Sequence, residues 1–129
     1  MSEEFKLDIV NPEKLFVSKN DVIEVVAPSL EGEMGILKNH ISIISFLKPG
    51  ILKVISKNNQ ESYFIEDGIL EFKDNELSIL TSTIFDLKNS DKTYISNSLK
   101  DAEKQLQNAD INDQKRYLLN QKIDTLRQI

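Results

Sequence analysis

"EGEMGILKNHISIISFLKPGIL", residues 31–52, decides how the rest of the chain is read. Three of the four glycines in 129 residues, Gly32, Gly35 and Gly50, fall inside it, together with the single histidine, His40. Such clustering marks either chemistry or a set of sharp corners between strands. The chemical readings fail on spacing. Neither G-x-x-x-x-G-K-[ST] nor G-x-G-x-x-G is present, so no phosphate cradle is built here. No G-x-S-x-G elbow offers a serine nucleophile. One histidine and no cysteine would leave a tetrahedral zinc site to carboxylates. A lone histidine more often hydrogen-bonds a turn than catalyses. What remains is conformational. Gly32 and Gly35 allow positive φ where the chain doubles back, Asn39 tolerates the same region, and Pro49-Gly50 suits the centre of a type II turn. Glu31 and Glu33 point the same way on an extended backbone, as solvated surface carboxylates do.

Outward from those corners, residues 1–88 keep the grammar of short strands. In "FKLDIV" Phe5, Leu7 and Ile9 alternate with Lys6 and Asp8, the period of a half-buried strand. "DVIEVVAP" is rich in β-branched residues and stops at Pro28. "ISIISF", "ILKVIS", "SYFIE", "ILEF" and "ELSILTS" follow. Turn signals separate them: Asn11-Pro12, Lys19-Asn20-Asp21, Pro49-Gly50, Asn58-Asn59, Asp67-Gly68 and Asp74-Asn75. Many short strands at near-regular spacing predict an antiparallel β-sandwich or barrel.

Residues 89–129 contain no glycine or proline, and the apolar period changes to that of a helix. Ile95, Leu99, Ala102 and Leu106 form one stripe; Leu119, Ile123 and Leu126 form a second. Ser90 or Asp91 is placed to cap the first helix, and Asp110 or Asn112 the second. Two such helices joined by a short polar link make an antiparallel helical hairpin. The predicted architecture is therefore mainly β plus α: a β-sandwich domain over 1–88 and a helical hairpin domain over 89–129. Seven stripe residues are few to order forty-one. The hairpin needs the sandwich or another protein to complete its burial, so it is either a moving part or permanently docked.

Charge narrows the function. The net charge is −5, which argues against nucleic acid as a partner. Residues 1–88 carry nine basic and fifteen acidic side chains, whereas 89–129 carry seven and six. The opposite balance allows a weak, easily screened attraction between the parts. "MSEEFKLDIV" lacks the basic and apolar run of a secretory signal, and no stretch of eighteen apolar residues spans a membrane. These features predict a soluble protein, peripheral to a membrane only through partners.

The order of motifs resembles the epsilon subunit of bacterial rotary (F-type) ATP synthase. Glu31-Gly32 with Gly35-Ile36, then His40, then Leu47-Lys48-Pro49-Gly50 follow that family's central pattern. "FIEDGILEF" and "ELSILTSTIFDL" are similar to its last strands, and the resemblance runs from Leu7-Asp8-Ile9-Val10 to the end. It implies a non-catalytic central-stalk subunit, without cofactor or metal, at the cytoplasmic side of the bacterial inner membrane. The partners it implies are the gamma subunit and the c ring, and the alpha and beta subunits through the hairpin, which in many bacteria blocks ATP hydrolysis. Glu33 matches the family acid facing the c-ring loops, His40 the histidine near gamma, and Glu31 belongs to the same acidic corner. Gly32, Gly35, Pro49, Gly50 and Gly68 would shape turns. Lys38-Asn39 stands where many members have Pro-Gly, and Asp67-Gly68 where many have Gly-Gly; both keep turn formers.

Some members bind ATP through I/L-D-x-x-R-A. Here the run is Ser90-Asp91-Lys92-Thr93-Tyr94-Ile95: Asp91 fits as a nucleotide contact, but Tyr94 replaces the guanidinium that pairs phosphate. Weak or no ATP binding is expected. A nucleotide-sensing regulatory domain is the alternative function, and a small hydrolase using His40 is a distant third.

Overall fold

A computed structural model describes residues 3–88, 92–108 and 110–129. Its first strand, β1 (Phe5–Asn11), obeys its pattern: Phe5, Leu7 and Ile9 point inward and Lys6 outward. The Asn11 carboxamide oxygen then accepts from the N–H groups of Glu13 (2.9 Å) and Lys14 (3.0 Å), closing the turn into β2 (Lys14–Ser29).

β2 departs from the sequence reading. No turn forms at Lys19-Asn20-Asp21, and Pro28 does not end the strand. Phe5 faces Val22 while Leu7 faces Lys19, so β2 carries one extra residue there. Such a bulge bends a strand and lets residues of low strand propensity leave the ladder. The bend allows one strand to serve two layers. Its first half pairs with β1; its second half pairs with β3 (Gly32–Leu37) and β5 (Gly50–Ser56). Pro28 stays in the strand because its carbonyl still accepts, from the Lys48 N–H at 2.9 Å.

The remaining strands are β4 (Ile43–Leu47), β6 (Asn59–Ile65), β7 (Gly68–Lys73), β8 (Glu76–Leu80) and β9 (Ile84–Asp86). One layer contains β3, β2, β5, β6 and β9; the other contains β2, β1, β8, β7 and β4. The pairing of β1 with β8 is parallel, and the other pairings are antiparallel. Asp74 (φ 51°) and Asn75 (φ 59°) make the two-residue β7–β8 connection, as a primed hairpin turn requires. Between the layers lie Leu7, Ile9, Val25, Leu52, Leu70 and Ile79 with other buried apolar side chains; Phe5 meets Phe72 edge-on, centroids 5.6 Å apart.

Two helices, α1 (Lys92–Leu106) and α2 (Asp113–Arg127), pack as the hairpin. Asn112 caps α2, its side chain accepting from the Lys115 N–H at 2.7 Å. The cap positions Ser90 and Asp91 lie outside the described residues. Ala102, Leu119 and Ile123 form the hairpin's own small core, with Leu99, Leu106 and Ile111 packed on it. The hairpin is docked: α2 lies against β5, and Tyr94 of α1 meets Phe85 of β9 edge-on at 5.3 Å. No helix among the described residues is long and apolar enough to cross a membrane.

Candidate partner-binding surface

The corner-rich segment folds into two ends of the sandwich rather than one site. Glu31 stands exposed in the tight β2–β3 turn, its N–H donating to Ser29 Oγ at 3.3 Å. Gly32 follows at φ 130°, and Glu33 is exposed in β3 opposite Pro28. Leu30 N–H donates to the Phe46 carbonyl at 3.0 Å, and the Ser29 and Ser45 hydroxyls are 2.9 Å apart. These bonds hold the turn against β4.

Two glycine readings are corrected. Gly35 is an ordinary strand residue opposite Val26, without positive φ. Gly50 likewise lacks positive φ and pairs with Ile65, so Pro49-Gly50 is not the centre of a type II turn. Its requirement is steric: a Cβ at Gly50 would lie 2.6 Å from the Pro28 Cβ. Pro49 is buried beside it, where the chain crosses from β4 to β5. Gly68, at the start of β7, is similarly confined, since a Cβ there would lie 2.8 Å from the Leu80 carbonyl oxygen. Asp67 before it is clasped by Ser82, whose N–H and hydroxyl donate to the carboxylate at 3.0 and 2.7 Å.

His40 sits beyond the other end of β3. A six-residue strand spans roughly 17–20 Å, so the acidic turn and the imidazole share no site. The Ile41 carbonyl, 2.8 Å from His40 Nδ1, can only accept, so Nδ1 carries the proton. The ring lies edge-on to Phe72 at 5.9 Å. Asn39, at φ 68°, exchanges two hydrogen bonds with Asn75: its N–H donates to Asn75 Oδ1 (2.7 Å), and its Oδ1 accepts from Asn75 Nδ2 (3.1 Å). His40 thus braces a loop. Among the described residues, no three His, Cys, Asp or Glu side chains converge as a metal site.

A further surface feature lies on the outer face of β4, β7 and β8. Phe46, Ile69 and Leu80 are register partners across β4, β7 and β8, and all face outward, 59%, 42% and 50% exposed. Ile44 extends the row along β4 and Leu30 flanks it. With Gln114, Tyr117 and Leu118 of α2, the row borders a groove of ≈ 830 Å³. A signal was present in the apolar doublets Ile43-Ile44, Phe46-Leu47, Ile69-Leu70 and Ile79-Leu80. One member of each faces the core, so period two sends the other into solvent. Contiguous exposed apolar surface of this kind marks an interaction site.

Residues 4–86 match the family described as "ATP synthase, Delta/Epsilon chain, beta-sandwich domain". The chain belongs to the ATP synthase delta/epsilon family. Among delta/epsilon relatives, the ATP synthase epsilon chain of Pelagibacter ubique (strain HTCC1062) is 63% identical over 127 residues, 98% of this chain and 98% of its own length. That of Rhodopseudomonas palustris (strain BisA53) is 32% identical over 102 residues, covering 79% of this chain and 75% of its own. The fold is shared with a chain in the Euglena gracilis mitochondrial ATP synthase (OSCP/F1/c-ring), at TM-score 0.79 and 21% identity, covering 99% of this chain and 82% of that one. It is also shared with a chain of the Tetrahymena thermophila mitochondrial central stalk and c-ring structure, at TM-score 0.64 and 16% identity, covering 98% and 96%. Of the family's nucleotide motif, Asp91 lies outside the described residues. Tyr94, at the arginine position, is engaged with Phe85.

Proposed function

We propose that the chain is a non-catalytic central-stalk subunit of a proton-translocating ATP synthase, docking on the gamma subunit and the c ring and coupling ring rotation to ATP synthesis. The outward row Phe46–Ile69–Leu80 carries the reading: within a delta/epsilon sandwich, apolar side chains held outward on three paired strands form a ready-made protein contact. Glu33, with Glu31 beside it, serves as a charged rim that pairs with basic loops of the ring, steering the encounter more than adding affinity. His40 acts through the loop it braces, toward gamma. Residues 1–88 provide this contact, and residues 89–129 form a separate part that reaches the alpha and beta subunits and inhibits hydrolysis when it does so. The protein is then held at the cytoplasmic face of the bacterial inner membrane by the complex alone.

Co-expression with the gamma subunit of the same organism tests the reading. A single species containing both chains is expected on gel filtration, and Phe46→Asp combined with Leu80→Asp is expected to separate them. Glu33→Lys should leave gamma bound but lower proton-driven ATP synthesis in reconstituted membranes. If the intact chain and gamma elute apart even at low salt, the proposal fails.

A further inference from the structure

Four ion pairs join described residues, and their placement is uneven. Lys6–Asp8 and Lys19–Glu61 lie within the sandwich and Arg127–Glu103 within the hairpin, whereas Lys122–Glu66 bridges α2 to the end of β6. We propose that the Lys122–Glu66 pair is an ionic latch that holds the hairpin on the sandwich and makes its docked state sensitive to salt.

The hairpin meets the sandwich through apolar and polar contacts: Tyr117 and Leu118 of α2 border the groove lined by Phe46, Ile69 and Leu80. The hairpin's core of Ala102, Leu119 and Ile123 is turned to its own two helices. At α1, one sandwich contact is the Tyr94–Phe85 ring pair. Along α2, Gln121, Thr125 and Gln128 border a small cleft with Pro28, Glu33, Lys48, Pro49, Gly50 and Ile51 of the sandwich. Lys122 stands on the same helix, one residue beyond Gln121, and its side chain is only 14% exposed, with Glu66 at 34%. A fully exposed pair would contribute little. A pair covered to this degree is different, because removing one partner leaves the other charge partly dehydrated and uncompensated. Exposure of Glu66 nevertheless keeps the attraction within reach of counterions, whose screening length at physiological ionic strength is about 8 Å. The latch therefore holds in dilute buffer and weakens as salt rises.

Phe64 joins the aromatic contact of α1 through Phe85, on which Tyr94 packs. Tyr63 and Ile65 on either side of it face the sandwich core, so Phe64 points out of the sheet, yet it is 1% exposed and stacked on Phe85 at 5.0 Å. Release of the hairpin consequently removes Tyr94 from the Phe85–Phe64 pair.

Hydrogen exchange of the full chain tests the latch. Lys122→Glu is expected to speed exchange of the α2 amides about tenfold and to leave β1 and β8 amides unchanged. Glu66→Lys should do the same, and the double reversal Glu66→Lys/Lys122→Glu should restore slow exchange. Raising potassium chloride should speed α2 exchange in the native chain and not in Lys122→Met/Glu66→Leu. Unchanged α2 exchange in Lys122→Glu, no restoration in the double reversal, or equal acceleration in β1 and β8 would each overturn the proposal.

Discussion

At the scale of single residues, the structure turns chemistry-bearing side chains into braces. Glu61 is the clearest case. Burial acts to raise its pKa, but hydrogen bonds from Lys19 and Tyr63, with the Lys19 and Lys88 charges, outweigh that and hold it below the ordinary glutamate value. Burial first, and then the Glu61 carboxylate, push the Tyr63 hydroxyl far upward, so it remains a donor. A carboxyl depressed in the fold contributes stability above its unfolded value near 4.5, and that contribution is lost as pH falls through the folded pKa. Glu61→Gln is therefore expected to cost about 1 kcal/mol at neutral pH. The difference from the native chain should shrink as pH drops below 4.5, read from urea midpoints of the two proteins. A difference that is constant across that range would contradict the assigned pairing. His40 and Gly50 teach the companion lesson. Their rarity in the sequence flags them, but that Gly50 must clear Pro28 belongs to packing between segments remote in the chain.

At the scale of elements, helical periodicity was readable and strand limits were not. The stripes through Leu99, Ala102 and Leu106 and through Leu119, Ile123 and Leu126 give two helices of fifteen residues each, and Asn112 rather than Asp110 caps the second. Because the hairpin core is small, its cap matters more than usual. Asn112→Ala is expected to destabilise α2 by about 1 kcal/mol, measured as a lower thermal midpoint for helix loss by circular dichroism. Asn112→Asp should retain most of the stability, since it still accepts from the Lys115 N–H. Equal loss in both variants would remove the cap from the account. In β2, by contrast, Lys19-Asn20-Asp21 reads as a turn and becomes a bulge. Local propensity is the same for both; only the partner strands decide whether the chain reverses or bends.

At the scale of the molecule, sandwich and hairpin are mutually dependent to different degrees. The sandwich has its own closed core between two layers, whereas the hairpin relies on the sheet for part of its burial. Residues 1–88 alone are expected to remain folded, with native-like β circular dichroism. Loss of Tyr94 leaves the Phe85–Phe64 pair more open, so the fragment should bind more of a hydrophobic dye than the full chain does. Phe64→Ser in that fragment should reduce the dye signal. A fragment that is unfolded would show instead that the hairpin is integral to the core.

The sequence by itself determined the class of each half. A side-chain period of two or of 3.6 is a property of one segment and its backbone, and so are turn formers such as Asp74-Asn75 and the choice of Asp110 or Asn112 as the cap of the second helix. The family motif, too, is a linear pattern, and it points to the ATP synthase family by itself. Tertiary structure alone decided that Glu33 and His40 stand at opposite ends of β3, and that Phe46, Ile69 and Leu80 come into one outward row. It alone decided that Lys122 meets Glu66 across fifty-six positions. These facts depend on register and layer contact between distant segments, where the free energy is set by shared burial and not by local preference.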